Sequence, residues 1–172
     1  MAAKPASKGS VMSYTGQIGL VPHPHTPFEY LIDWITVSPV HHAVIAISET
    51  ECVSCEAGGA RIRHISEYPD AHWSEFPLTA AERDTIVNFG RTRIGRPYGW
   101  FADIAIGIAL LSGVHTPKGI QAYLNSDRSY ECAQLCDAAY STAGIHFFDD
   151  IPASAVYPGM FVPIFRSYGW MT

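Results

Sequence analysis

Two strands and a turn are predicted by one stretch of the chain, His42-Ala-Val-Ile-Ala-Ile-Ser48-Glu-Thr-Glu51-Cys-Val-Ser-Cys-Glu-Ala57. The residues after His42 are continuously apolar and β-rich, which is typical of a strand covered on both faces. The segment from Glu51 onward can pair with it as a second, antiparallel strand. A turn through residues 48–50 would set His42 opposite Glu56, whereas a slip of one residue would send Glu56 to the other face.

The segments around this hairpin extend it into a small antiparallel sheet. Residues 17–21 form a short strand candidate before it, and residues 60–65 alternate apolar with polar side chains after it. Between the first strand and the hairpin, apolar residues recur at helical spacing over residues 28–35, and Pro39 ends that helix.

Two further helices are predicted in the middle of the chain. Thr79 and Glu82 have the spacing of a capping box, and an apolar face continues from there to Gly95. A second helical stretch covers residues 101–111. Its apolar run is much shorter than the roughly 20 residues that cross a bilayer.

The C-terminal part of the chain is predicted to hold one helix and one strand. The helix begins near Cys132 and ends at Gly144, and residues 159–165 form a closing strand in which Pro163 indicates an edge position. Helices and antiparallel strands together predict an α+β fold.

Composition limits the classes of function. The chain has 172 residues, which suits one domain over residues 13–172 after a disordered tail at 1–12. A net charge of -5 with scattered basic residues disfavours nucleic-acid binding. The N-terminus lacks the apolar region of a secretory signal, so a cytoplasmic location with reduced thiols is expected and disulfides are disfavoured.

Cys132 is the candidate nucleophile because of its position at a helix start. The positive end of the helix dipole and unpaired backbone N–H groups stabilise a thiolate, and the same N–H groups could hold an oxyanion. The competing interpretation is a buried cysteine that packs as a small apolar residue. Cys136, one turn later, is expected in the core.

His42 is the candidate general base, and it lies at the start of the buried strand. A nucleophilic thiol needs such a base, held in place by a third group. Glu56 on the adjacent strand could orient the imidazole, although an ordinary salt-linked surface pair is the alternative. His41 is expected to point to the opposite face.

A zinc site is the rival interpretation of the cysteines. The pairs Cys52/Cys55 and Cys132/Cys136 offer four thiolates in total. Cys52 and Cys55, however, lie in a β-like run and would project to opposite faces of a regular strand. We therefore expect no metal and no cofactor.

The order of these pieces resembles the circularly permuted papain-like hydrolases of the NlpC-type superfamily, especially the YiiX-like branch, over roughly residues 14–165. The shared pieces are an opening strand, a histidine heading the next strand, Glu-Ala on the strand after it, a Gly-x-Pro-Tyr element and a Tyr-x-Cys helix start. Here they are residues 16–20, His42, Glu56-Ala57, Gly95-Arg-Pro-Tyr98 and Tyr130-Glu-Cys132. Two departures are Ala133, where the family often has serine, and a long apolar stretch before Tyr130.

The resemblance implies a permuted papain-like fold and a triad of Cys132 as nucleophile, His42 as base and Glu56 as orienter. Tyr98 would be a substrate-side hydroxyl or a turn residue. Cell-wall peptides or lipid acyl groups are the implied substrates. The apolar segment 104–114 favours a hydrophobic substrate or peripheral membrane contact. The alternative is a non-catalytic binding module that retains the same fold.

Overall fold

The computed structural model describes residues 13–22, 38–56, 59–95, 132–148, 151 and 155–172. This part of the chain has an α+β fold, as predicted. Its strands are β1 (Ile18–Val21), β2 (His42–Ala46), β3 (Glu51–Glu56), β4 (Gly59–His64) and β5 (His72–Trp73). Its α-helices are α1 (Ala80–Arg93), α2 (Cys132–Thr142) and α3 (Val162–Tyr168). The predicted tail at 1–12, the helices at 28–35 and 101–111, the apolar segment 104–114 and Tyr98 lie outside the described residues.

The five strands form one antiparallel sheet in the order β4-β3-β2-β1-β5. In the central hairpin Val44 pairs with Ser54 and Ala46 with Cys52. The turn closes where the Ile47 N–H donates a 2.8 Å hydrogen bond to the Glu51 carbonyl. The predicted register is therefore confirmed, and its continuation sets His42 opposite Glu56.

The sheet separates two apolar clusters, because side chains alternate between its faces. Ala43, Ile45 and Val53 belong to a large cluster that includes the buried side of α2, and we call this side the helix-covered face. Val44 belongs to a smaller cluster that includes Tyr68, and we call this side the Tyr68 face. Each side chain of β2 and β3 therefore lies either on the helix-covered face or on the Tyr68 face.

Helix α1 begins with the predicted capping box. The Thr79 hydroxyl accepts a hydrogen bond from the Glu82 N–H, and the Glu82 carboxylate accepts one from the Thr79 N–H. Ile86 and Gly90 are its buried residues. Gly90 faces the sheet, where a Cβ would lie 3.6 Å from side-chain atoms of both Ile47 and Val53, an ordinary van der Waals distance.

The predicted closing strand at residues 159–165 is wrong. A 3-10 turn over Pro158–Phe161 leads directly into α3, which ends at Gly169 in the left-handed conformation. Pro163 lies in the first turn of α3, where a backbone N–H has no partner within the helix, so proline is tolerated there. The buried side chains of Phe161 and Phe165 join the helix-covered cluster, so the apolar pattern marked a helix that packs on the core.

Strand β5 was not expected from the sequence, because it has only two residues. It pairs with β1 through Gly19 opposite Trp73 and Leu20 opposite His72. A Cβ at Gly19 would lie 2.9 Å from the Trp73 ring and 3.0 Å from Val44. The missing side chain of Gly19 therefore makes room for the tryptophan on the Tyr68 face.

The start of the described chain is held to the turn between β2 and β3. The Glu49 carboxylate accepts hydrogen bonds from the hydroxyls of Ser13 at 2.7 Å and Thr15 at 2.6 Å. These two bonds, with a smaller contribution from the Tyr14 N–H, lower the pKa of Glu49 to about 2. The segment before β1 is thereby anchored next to the central hairpin.

Candidate functional site

His42 is the first residue of β2 and only 6% exposed. Its Nε2 lies 2.7 Å from Oγ of the buried Ser54. The ring centroids of His42 and Tyr68 are 6.2 Å apart. Strand alternation agrees with these contacts, since His42 is two residues from Val44, whose side chain lies on the Tyr68 face.

Glu56 is the last residue of β3, and three side chains donate hydrogen bonds to it. Ser54 Oγ donates to Oε1 at 2.9 Å, Tyr68 donates to the same oxygen at 3.2 Å, and Arg63 binds both carboxylate oxygens through its guanidinium. Partial burial acts to raise the pKa of Glu56, but the bonds from Arg63, Ser54 and Tyr68 outweigh it and hold the pKa at about 2. The carboxylate is therefore ionised at neutral pH.

Tyr68 completes this cluster as a hydrogen-bond donor. Its hydroxyl lies 3.0 Å from Ser54 Oγ and 3.2 Å from Glu56 Oε1. Burial, together with the negative charge of Glu56, raises the pKa of Tyr68 well above its ordinary value. The phenol keeps its proton at neutral pH and donates it to this pair of oxygens.

The structure links two of the predicted catalytic residues, His42 and Glu56, and it does so through Ser54. The imidazole and the carboxylate both lie on the Tyr68 face, as the hairpin register requires. The predicted contact between Glu56 and a ring nitrogen of His42 is replaced by two hydrogen bonds that meet at Ser54 Oγ.

Cys132 belongs to the other apolar cluster. It is the first residue of α2 that the structure describes, it is 5% exposed, and it packs in the helix-covered cluster with Ala133, Leu135 and Cys136. The predicted place of Cys136 in the core is confirmed, and its complete burial raises the pKa of its thiol well above the ordinary value. Residue 131 lies outside the described residues, so the location of Cys132 at the helix N-terminus stays a prediction.

His41 is the second histidine next to the start of β2. It is 5% exposed, and its backbone N–H donates to the Val21 carbonyl at 3.2 Å. Alternation from His42 directs it towards the helix-covered face, on which α2 packs. His41 is consequently a second candidate partner for the thiol of Cys132.

The cysteines of β3 point in opposite directions, as the sequence predicted. Cys52 belongs to the cluster on the Tyr68 face, whereas Cys55 belongs to the helix-covered cluster. Burial raises the pKa of the Cys52 thiol to about 12, with a further contribution from nearby carboxylates. Within the described ranges, no three histidine, cysteine, aspartate or glutamate side chains converge as a metal site would require.

Ser54, Tyr68 and Arg63 were missed by the sequence analysis. Ser54 carried a signal, because it lies two residues before Glu56 on one strand and so shares its face. Arg63 carried a weaker one, as a charged residue of the alternating segment that forms β4. Tyr68 follows a 3-10 turn at Ile65–Glu67, and nothing in the sequence pattern connected it with the hairpin.

Comparisons with protein-family models and with curated proteins found no match for this chain. Among the helices that the structure describes, none has the length and apolar character needed to cross a membrane. The function of the protein must therefore be argued from the site itself.

Proposed function

We propose that the protein is a cysteine hydrolase or acyltransferase in which Cys132 attacks an amide, ester or thioester carbonyl. His42 takes the thiol proton and later returns it to the leaving group, and an acyl-enzyme forms between these steps. Water completes hydrolysis, and an amine or alcohol completes transfer. Peptides and lipid acyl groups are the two proposed classes of substrate.

One observation carries this proposal: the His42 ring is hydrogen-bonded, through Ser54, to an ionised carboxylate. Such an arrangement fixes the orientation of an imidazole and stabilises the imidazolium that forms when the ring accepts a proton. An ordinary surface pair does not have these properties, because Ser54 is fully buried and His42 nearly so.

The proposal requires the thiol and the imidazole to meet around the end of β2. His42 contacts Ser54 and Tyr68 on the Tyr68 face, and Cys132 packs in the helix-covered cluster. His42 is the first residue of its strand, so its ring lies at the end of the sheet rather than at its centre.

The same observation favours a second candidate, a non-catalytic module of this fold. If the imidazole of His42 does not act on the thiol of Cys132, the network of His42, Ser54 and Glu56 stabilises the hairpin, and Cys132 serves as a packing residue. The two candidates differ in whether the reactivity of Cys132 depends on a histidine.

Alkylation of Cys132 by iodoacetamide in the wild type and in the variants His42→Ala and His41→Ala tests the proposal. Loss of rate in His42→Ala alone supports the triad as proposed. Loss of rate in His41→Ala alone would transfer the role of base to His41. A rate unchanged in both variants supports the non-catalytic module.

The substrate class is tested by the intact mass of the protein after incubation with peptides and acyl-lipids. A mass increase equal to one acyl group, lost in Cys132→Ala, identifies the transferred group. A matched Cys136→Ala variant should retain the increase, because that thiol is fully buried in the core.

A further inference from the structure

We propose that Ser54 is a positioning residue that transmits the influence of Glu56 to His42, so that the chain uses a Cys132, His42, Ser54, Glu56 relay. This inference deepens the proposed function and rests on it for its catalytic meaning. Its structural content, the protonation state of one ring nitrogen, can be measured without any substrate.

The first step is the number of protons available at Ser54. Its Oγ lies 2.7 Å from His42 Nε2, 2.9 Å from Glu56 Oε1 and 3.0 Å from the Tyr68 hydroxyl. A serine hydroxyl donates one hydrogen bond and accepts two. These three neighbours therefore use all of its hydrogen-bonding capacity.

The second step assigns the donors. The ionised Glu56 has no proton to give, so Ser54 must donate to it. The Tyr68 phenol is protonated and donates either to Ser54 or to the carboxylate. The remaining contact of Ser54 is with His42 Nε2, and Ser54 has no second proton for it.

The third step fixes the tautomer of His42. Because Ser54 can only accept from this ring, Nε2 carries a proton and donates it. If Ser54 instead donated to Nε2, its oxygen and the carboxylate oxygen would lie 2.9 Å apart without a proton between them. Neutral His42 is consequently the Nε2–H form, in which Nδ1 has the lone pair that can accept a proton.

The relay moves no proton along its length. When the Cys132 thiol gives its proton to Nδ1, a thiol and a neutral imidazole become a thiolate and an imidazolium. The Nε2–H bond to Ser54 and the Ser54 bond to Glu56 both persist, and they stabilise the positive ring. Glu56 thus acts on His42 through the oriented dipole of one hydroxyl.

Other charged groups surround this face and enter the pH dependence. Arg61 pairs with Ser54 and Arg63 with Cys52 across β3 and β4, so both arginines share the Tyr68 face with the relay. Arg63 also lies 3.6 Å from Glu67. The two arginines oppose protonation of His42, whereas Glu56 and Glu67 favour it, and Cys52, with a pKa of about 12, stays neutral.

The test is ¹⁵N NMR of histidine-labelled protein, with the His42 signals assigned by their loss in His42→Gln. In the wild type above the titration midpoint of the ring, the ¹⁵N chemical shifts should show a protonated Nε2 and an Nδ1 that carries no proton. In Ser54→Ala the midpoint should fall by about one pH unit, since the imidazolium loses its acceptor. The control Ser74→Ala removes an equally buried hydroxyl that bonds Gln17 and should leave the midpoint unchanged.

A double-mutant cycle separates a relay from two independent effects. Glu56→Gln should also lower the midpoint, and the double variant Ser54→Ala with Glu56→Gln should lower it no further than about the larger single effect. Additive shifts would overturn the relay, as would an Nδ1–H tautomer in the wild type or an unchanged midpoint in Ser54→Ala.

The alkylation rate of Cys132 distinguishes failure of the relay from failure of the proposed function. If both hold, Ser54→Ala should slow alkylation at pH 7 by about tenfold, in line with the shift of one unit. If the tautomer and midpoint behave as proposed but the alkylation rate is independent of His42, the relay exists and the proposed chemistry does not.

Discussion

The hydroxyl of Tyr140 in α2 donates a 2.8 Å hydrogen bond to the backbone carbonyl of Gly16, just before β1. Both residues are buried, and the contact joins the helix that carries Cys132 to the start of the sheet. Tyr140→Phe removes the donor and leaves the Gly16 carbonyl unsatisfied. We expect a loss of about 1–2 kcal/mol in the free energy of unfolding, measured by urea denaturation.

A matched control for that variant is Tyr157→Phe. Tyr157 is 49% exposed, so its hydroxyl can exchange a protein partner for water. We expect the two variants to differ by about 1 kcal/mol or more. Equal midpoints in urea would show that the bond between Tyr140 and Gly16 contributes nothing to stability.

Cysteine reactivity should follow burial and pKa. Iodoacetamide should modify Cys132 faster than Cys52, Cys55 or Cys136, because Cys132 is the most exposed of the four at 5% and burial raises the pKa of both Cys52 and Cys136. Since the thiolate is the nucleophile, the raised pKa values make those two thiols slow. Peptide mapping after partial labelling ranks the sites, and equal labelling of all four in folded protein would contradict the proposal.

Glu56 should give the protein an acid-sensitive part of its stability. Its pKa in the folded state is about 2 against an ordinary 4.5. A lowered carboxyl pKa stabilises the folded state above the unfolded pKa, and that contribution is lost as the pH falls from about 5 to 2. The full shift corresponds to about 3 kcal/mol, which solvent screening of this partly exposed carboxylate reduces to on the order of 2–3 kcal/mol.

Glu56→Gln should therefore flatten the acid limb of the stability curve. The difference in unfolding free energy between wild type and Glu56→Gln should be largest at pH 7 and shrink towards pH 2. The exposed Glu75→Gln serves as the control for loss of one negative charge. A difference that does not vary with pH would contradict the assigned ionisation of Glu56.

Two glycines should respond to alanine with opposite signs. A Cβ at Gly19 would lie 2.9 Å from Trp73, so Gly19→Ala must displace a ring and should cost about 1–3 kcal/mol. Gly90 lies within α1, where a Cβ meets only ordinary contacts at 3.6 Å. Gly90→Ala should stabilise the protein by about 0.5–1 kcal/mol, because alanine has the higher helix propensity. Thermal unfolding followed by circular dichroism measures both, and equal signs would contradict this packing.

Local signals in the sequence predicted the central hairpin and α1. The capping box of Thr79 and Glu82 fixes where α1 begins, and a three-residue turn fixes the register that sets His42 opposite Glu56. Such short-range patterns depend on hydrogen bonds between residues that are close in the chain. The residue types that form these bonds can therefore be recognised at fixed spacings in the sequence.

Contacts distant in sequence could not be predicted in the same way. Tyr68 reaches Ser54 across 14 positions, and β5 is too short to show alternation. The sequence pattern also does not predict which face of the sheet α2 packs on. That face determines whether Cys132 lies nearer to His41 or to His42. The C-terminal segment was misassigned because Pro163 is compatible both with an edge strand and with the first turn of a helix.

The arginines of β4 have a consequence for how copies of this protein behave towards one another. β4 is an outer strand of the five-strand order and carries Arg61 and Arg63 on either side of Ile62, which is 45% exposed. Positive charges on an outer strand repel a second, identical strand and so discourage intermolecular sheet growth. Arg63 therefore both binds the ionised Glu56 and adds, with Arg61, a charged side chain to the outer strand of this sheet. Its replacement by an apolar residue should be detected first as self-association at high concentration.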